Sequence, residues 1–195
     1  MAIQLLAFFS LFFALAFFLP SYRLWRRDGV NALVLPADDT AHGLVGRLFK
    51  ATIVSTFVLL IALSIGLPES AAGPLPWMET SAVLIMGWVV LGLSLAWIIA
   101  AQAQMGASWR IGIDANTRTN LVTSGVFGIS RNPIFLGMRA GLLGLFLVLP
   151  NALSLAILVI GEVLMQVQVR LEEAHLLSTH GHAYERYRAS VRRWI

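Results

Sequence analysis

The chain has 195 residues, 58% of them hydrophobic and 12% charged, with no cysteine and a net charge of +4. A soluble domain of this length carries about a quarter charged residues, so the excess apolar surface is expected to face lipid, with room for roughly four or five spans and little left over for a separate soluble domain. Lack of thiols excludes disulfides, thiol nucleophiles and thiolate metal sites, and arginines that flank apolar runs instead of forming one basic face argue against nucleic acid.

The first run, AIQLLAFFSLFFALAFFLP, is about long enough to cross a bilayer. A secretory signal puts positive charge before its apolar part. Here Arg23, Arg26 and Arg27 come after it, so a retained helix with its N-terminus outside is expected. A second span is predicted from about Leu48 to Leu67, preceded by Arg47 and followed by the breaker-rich PESAAGPLPW, and a third from about Trp77 to Ala103. A polar-rich section, Gln104 to Asn132, then holds Arg110, Asp114 and Arg118. Two shorter apolar segments follow, Pro133 to Leu149 and Ala152 to Val169, joined at Pro150–Asn151, before the charged tail RLEEAHLLSTHGHAYERYRASVRRWI.

The loop around Pro68 to Pro76 has no lysine or arginine, and neither has the N-terminus. The loop after the first helix, the Gln104–Asn132 section and the tail hold nearly all the basic residues, which the positive-inside rule assigns to the cytoplasm. The expected fold is an all-α, multi-pass integral membrane protein of about five transmembrane helices with a cytoplasmic C-terminus, in a bacterial inner membrane or the endoplasmic reticulum. It divides into an N-terminal three-helix part, 1–103, and a part that carries the chemistry, 104–195, within one integrated domain.

Two charges interrupt the last apolar segments. A tight reversal at Pro150–Asn151 puts Arg139 and Glu162 at about the same depth, and a lone charge there costs at least about 2.5 kcal/mol, so the two are expected to face each other. The pair either locks the hairpin or serves a site.

The segment LVTSGVFGISRNPIFLG is more than a connector. Pro133 suits the first helical position, where its missing N–H costs nothing, and Asn132 is a good N-cap. Arg131 stands beside the positive end of that helix, which can receive an anionic group of a ligand or lipid phosphate. Gly125 and Gly128 allow a tight turn and a close approach to a bound molecule. In the tail, if the fifth helix continues through it, Arg170 and Glu173 are spaced i, i+3 and can pair, leaving Glu172 on a different face. Chain reversal brings this group to the surface that carries Arg131. The tail can also form an interfacial amphipathic helix, with Leu176, Leu177, Tyr184, Tyr187 and Trp194 dipping into lipid, and this is the expected reading beyond Gly181. His175, His180 and His182 match no zinc spacing, so no metal is expected. Ser124 lies in no nucleophile elbow, and the sequence contains neither a P-loop nor a dinucleotide fingerprint.

Together, LVTSGVFGISRNPIFLG, an apolar hairpin and RLEEAHLLSTHGHAYERY resemble the isoprenylcysteine carboxyl methyltransferase family and its phospholipid methyltransferase relatives. Their shared pattern is Leu-Val-x-x-Gly-x-Tyr, then Arg-His-Pro-x-Tyr, then a Glu-Glu pair followed by Gly-x-x-Tyr-x-x-Tyr, and it covers roughly Ser108 to Trp194. The resemblance implies a membrane enzyme using S-adenosylmethionine, held in a cytoplasmic-side pocket formed by the loop before the fourth helix, the hairpin and the C-terminal helix. By position the cofactor contacts are Asn120, Leu121, Val122, Phe127, Asn132, Pro133 and Phe135, with Arg131 beside them. The family's substrate-side arginine and glutamate fall on Arg170 and Glu172, with Glu173 a close competitor. Asn132 stands where histidine is common, and Phe127 and Phe135 where tyrosine is common, so two phenolic hydroxyls are missing. The implied acceptor is a lipophilic molecule, a lipid or a lipid-modified substrate; whether a carboxylate or an amine, and the oligomeric state, stay open. Aromatic rings such as Phe127, Phe135 and Trp109 can attract a sulfonium. Two other readings remain: a membrane sterol or enone reductase using NADPH, and a scaffold or transport component without catalysis.

Overall fold

A computed structural model describes residues 1–29, 39–106, 109 and 120–195. Arg110, Asp114 and Arg118 lie outside the described residues. Those described are helical with no β-strand: α1 (Ala2–Phe13), a π-helical turn (Ala14–Phe18), α2 (Leu19–Asp28), α3 (Ala41–Ser64), α4 (Ser81–Met105), α5 (Pro133–Val148), α6 (Ala152–His180) and α7 (His182–Ser190). Four helices are long and apolar enough to cross a membrane: Ala2–Arg27, Ala41–Ser64, Ser81–Met105 and Ala152–His180. The chain is a multi-pass membrane protein. Its α5, also apolar, has 16 residues, about 24 Å of helix, and is shorter than a typical span.

The first apolar run does not stop at Pro20 but continues as α2 to Asp28. Pro20 has no N–H for the carbonyl four residues back, that of Ala16. The Gln102 side chain on α4 donates to that carbonyl instead, and the π-helical turn sits at the same place. The second span starts at Ala41, earlier than its apolar run, because Thr40 caps it by accepting from the Gly43 amide at 3.1 Å. The third starts at Ser81, later than expected. Residues Pro76–Met78 form a 3-10 turn, and the Thr80 hydroxyl accepts from the Val83 amide.

Lipid is as apolar as leucine, so these helices gain their association from close packing and interhelical hydrogen bonds. Contact between α4 and α5 is the most extensive in the bundle. A Cβ on Gly137 would come within 2.4 Å of Ile98, and one on Gly144 within 2.8 Å of Leu91. Across the same seam Trp97 Nε1 donates to the Pro133 carbonyl at 2.9 Å and Ser94 Oγ to that of Gly137 at 2.8 Å. A core of Leu5, Phe9, Leu60, Leu91, Leu145 and Ile157 fills one end of the bundle. At that end Pro74 and Asn151 form an isolated antiparallel bridge, with Ala152 N–H donating to the Gly73 carbonyl. The reversal at Pro150–Asn151 is as expected, with Asn151 and Ser154 forming a reciprocal cap.

Because α5 begins level with Trp97, α4 runs on past it for eight residues to Met105, about 12 Å. The start of α5 is thus recessed relative to the end of α4, and the chain that enters it is tied to that end through Gln104.

Candidate functional site

Residues 120–132 lead into α5 beside the end of α4. Gly125 has φ +61, a left-handed conformation that favours glycine, and a Cβ there would lie 2.3 Å from Gln104 Oε1. That oxygen accepts from the Val126 amide at 2.9 Å, which fastens the 3-10 turn Gly125–Gly128 to the end of α4. The turn buries Phe127, whose carbonyl accepts from the Tyr187 hydroxyl of α7 at 2.7 Å.

Glu173 is the hub. Its Oε1 accepts from Arg131 Nη2, Asn132 Nδ2 and Arg193 Nε, each at 3.1 Å, and its Oε2 accepts from Arg193 Nη2 at 2.8 Å. The carboxylate is only 8% exposed and the Arg131 side chain 9%. A carboxylate so buried is tolerable only when fully bonded to cations and donors. Arg131 also ties down the segment after α7: its Nη1 donates to the carbonyls of Arg188 at 2.9 Å and Val191 at 2.8 Å, and its amide donates to that of Arg192. The Arg193 carbonyl accepts from Ser130 Oγ and Asn132 Nδ2.

Several expectations are corrected here. Asn132 holds the N-cap position but its side chain does not cap; Nδ2 is spent on Glu173 and the Arg193 carbonyl. Arg131 is not an open cation at a helix end but the bridge between Glu173 and the tail. Arg170 does not pair with Glu173. Its Nη1 donates to the Gln166 carbonyl at 2.6 Å and to Gln166 Oε1 at 2.9 Å, and the side chain is exposed. Tyr184 and Tyr187 are 1% and 7% exposed, covered by protein instead of dipping into lipid. Burial pushes both hydroxyls up to about 12, so both stay protonated.

Of the remaining residues, Glu172 is half-buried and accepts from Gln168 Nε2 at 3.2 Å. Leu121, Val122 and Phe135 are half-buried, Pro133 is buried and Asn120 is exposed at the loop's start. Trp109 is buried against Leu24, with Met105 and Ile134 beside it. Sequence reasoning missed Arg193, Ser130 and Gln104. The Tyr184–Tyr187 spacing, i and i+3 on one helical face, was the available signal that α7 has a packed side. Arg139 Nε does meet Glu162 Oε2, at 2.6 Å. No group of three or more His, Asp or Glu side chains arranged to hold a metal occurs among the described residues. A cavity of about 240 Å³ lined by Met1, Glu69, Glu79 and Asn151 lies at the opposite end of the bundle, away from this cluster.

Phospholipid methyltransferase is the family whose model matches this chain, over residues 82–183, from α4 into α7. The protein-S-isoprenylcysteine O-methyltransferase of Schizosaccharomyces pombe is 32% identical over 115 residues, 58% of this chain and 47% of that protein. The chain thus spans about half the length of the relative it matches.

Proposed function

Because the chain belongs to the phospholipid methyltransferase family, we propose that it is a membrane methyltransferase that uses S-adenosylmethionine and acts on a lipophilic or lipid-linked acceptor. The observation that carries this reading is the junction of the α5 onset with the end of α6 through Glu173, Arg131 and Asn132. In this reading α5 is a fifth crossing, the junction lies on the cytoplasmic side, and the N-terminus lies outside. Residues 1–103 then form the lipid-packed support and 104–195 the catalytic part.

The residues at the junction fit that cofactor chemically. Tyr184 Oη and Arg131 Nε are buried donors without a hydrogen-bond acceptor among the described residues, suited to a carboxylate or ribose hydroxyl. Phe127 and Phe135 offer aromatic faces to a cation, and Asn120, Leu121, Val122, Asn132 and Pro133 line the approach. S-adenosylmethionine, when bound, supplies a methyl group activated on a sulfonium. The protein's task is alignment and exclusion of water.

Two residues of α6, spaced i, i+2 and therefore on well-separated faces, suit the two kinds of acceptor. Arg170, whose guanidinium meets no carboxylate among the described residues, can hold an acceptor carboxylate through paired hydrogen bonds. Glu172 can take the proton from an ammonium acceptor before transfer. Glu173 is a positioning residue, already committed to three partners. A direct test supplies the purified protein with methyl-labelled S-adenosylmethionine and membrane lipids and counts label in the organic phase. The wild type should transfer label, while Arg170→Ala and Glu172→Ala should lose transfer with unchanged thermal unfolding. Full transfer by both variants would move the site elsewhere.

A further inference from the structure

The ion pair between α5 and α6 is more exposed than a purely structural pair needs to be. The Arg139 side chain is 29% exposed and that of Glu162 35%, although Glu162 lies well inside the spanning helix α6. Charges at such depth are costly and usually face the bundle interior. The hairpin does not depend on this pair for its register, which the Asn151–Ser154 cap and the Leu142 contact on Gly161 already set.

The pair is also the lower end of a continuous polar string. Glu162 Oε1 accepts from Gln166 Nε2 at 2.8 Å, and Gln166 accepts from Arg170. Positions 162, 166 and 170 are one helical turn apart, so the string climbs one side of α6 for about 12 Å. At its foot the Arg139 guanidinium lies 4.2 Å from the ring centroid of Trp194. Nε is the Arg139 nitrogen bonded to Glu162; neither terminal nitrogen makes a hydrogen bond among the described residues. Unpaired, accessible donors in an apolar setting are expensive, which marks them as places for an acceptor from outside the chain. Beside the string, Val159 and Val163 occupy interleaved positions of α6 and are 54% and 57% exposed. Two cations against one carboxylate leave the string net positive.

We propose that Arg139, Glu162, Gln166 and Arg170, with Trp194 at the foot, form a docking track for a membrane amphiphile with an anionic headgroup. The headgroup oxygens engage the terminal nitrogens of Arg139 and the exposed guanidinium of Arg170, while the acyl chain lies along Val159 and Val163. This extends the methyltransferase reading, because Arg170 is where that reading orients the acceptor; the track itself is argued from the polar string alone.

Native mass spectrometry of the full chain, titrated separately with phosphatidylglycerol, stearate and phosphatidylcholine, tests it. The first bound anionic lipid should be about tenfold tighter than phosphatidylcholine, the range of one charge-assisted hydrogen bond. A preference for phosphatidylglycerol identifies a phosphate headgroup and a preference for stearate a carboxylate; either supports the track. The double variant Arg139→Gln/Glu162→Gln, which keeps hydrogen bonding without charge, should lose the preference while retaining S-adenosylhomocysteine binding. Glu162→Gln alone should tighten anionic binding, since it removes the competing carboxylate. No anionic preference in the wild type, or the same preference in all three proteins, would overturn the track. Anionic preference in a wild type that binds no S-adenosylhomocysteine would leave the track standing and remove the methyltransferase reading.

Discussion

Two adjacent carboxylates, Glu172 and Glu173, have opposite assignments because their neighbours differ. Glu173 holds Arg131, Asn132 and Arg193 together, so Glu173→Gln leaves the buried Arg131 and the half-buried Arg193 without their anion. Breaking one partner of such a pair costs about 3–5 kcal/mol, and thermal unfolding in detergent should register it as a large drop. Glu172→Gln touches one hydrogen bond, to Gln168, and should leave unfolding nearly unchanged while methyl transfer to an amine acceptor falls. The reverse pattern would exchange the two roles. The tyrosines add a pH signature. Their hydroxyls, ordinarily near 10, are pushed up to about 12 by burial, for Tyr184 with help from the Glu173 charge. A raised native value means stability that is intact below pH 10 and lost as pH climbs toward 12. Tyr184→Phe should flatten that part of the profile of melting temperature against pH. An unchanged slope would show that Tyr184 is not buried.

Between elements, the glycine seam determines where the site sits. Gly137 and Gly144 let α5 lie against α4 so closely that an added Cβ meets Ile98 or Leu91 inside van der Waals contact. Gly137→Val should destabilise by about 1–3 kcal/mol through overpacking and shift the α5 onset, so that S-adenosylhomocysteine binding weakens as well. Gly92→Ala on the same α4, where nothing lies within 4 Å of the added atom, should be neutral or slightly stabilising. Equal losses in the two variants would contradict the seam. Much at this level was legible in the sequence. The reversal at Pro150–Asn151 and the Arg139–Glu162 pair follow from two charges placed symmetrically about a turn. The recess did not follow, because the offset between the end of α4 and the start of α5 arises from tertiary packing. The Glu173 hub was hidden for a similar reason: Arg193 stands 20 residues along the chain and reaches it only because α7 folds back through Tyr187. Local spacing suggested Arg170 instead, which found Gln166 on its own helix.

For the molecule as a whole, sidedness and the enclosed site are linked. A sequence without cysteine gives a clean background for single thiols. Ser70→Cys, in the loop bridged to the hairpin turn, and Ser178→Cys, near the end of α6, are both exposed and should react with a membrane-impermeant maleimide from opposite sides. Reaction from one side would remove the crossing arrangement. The central claim is that the α5 onset and the end of α6 jointly enclose the methyl donor. Ultraviolet crosslinking of labelled S-adenosylmethionine to the intact protein, followed by peptide mapping, tests that claim most directly. Label is expected within residues 120–135 and 170–187, competed away by S-adenosylhomocysteine; competed label confined to residues 1–103, or none on folded protein, would contradict that enclosure.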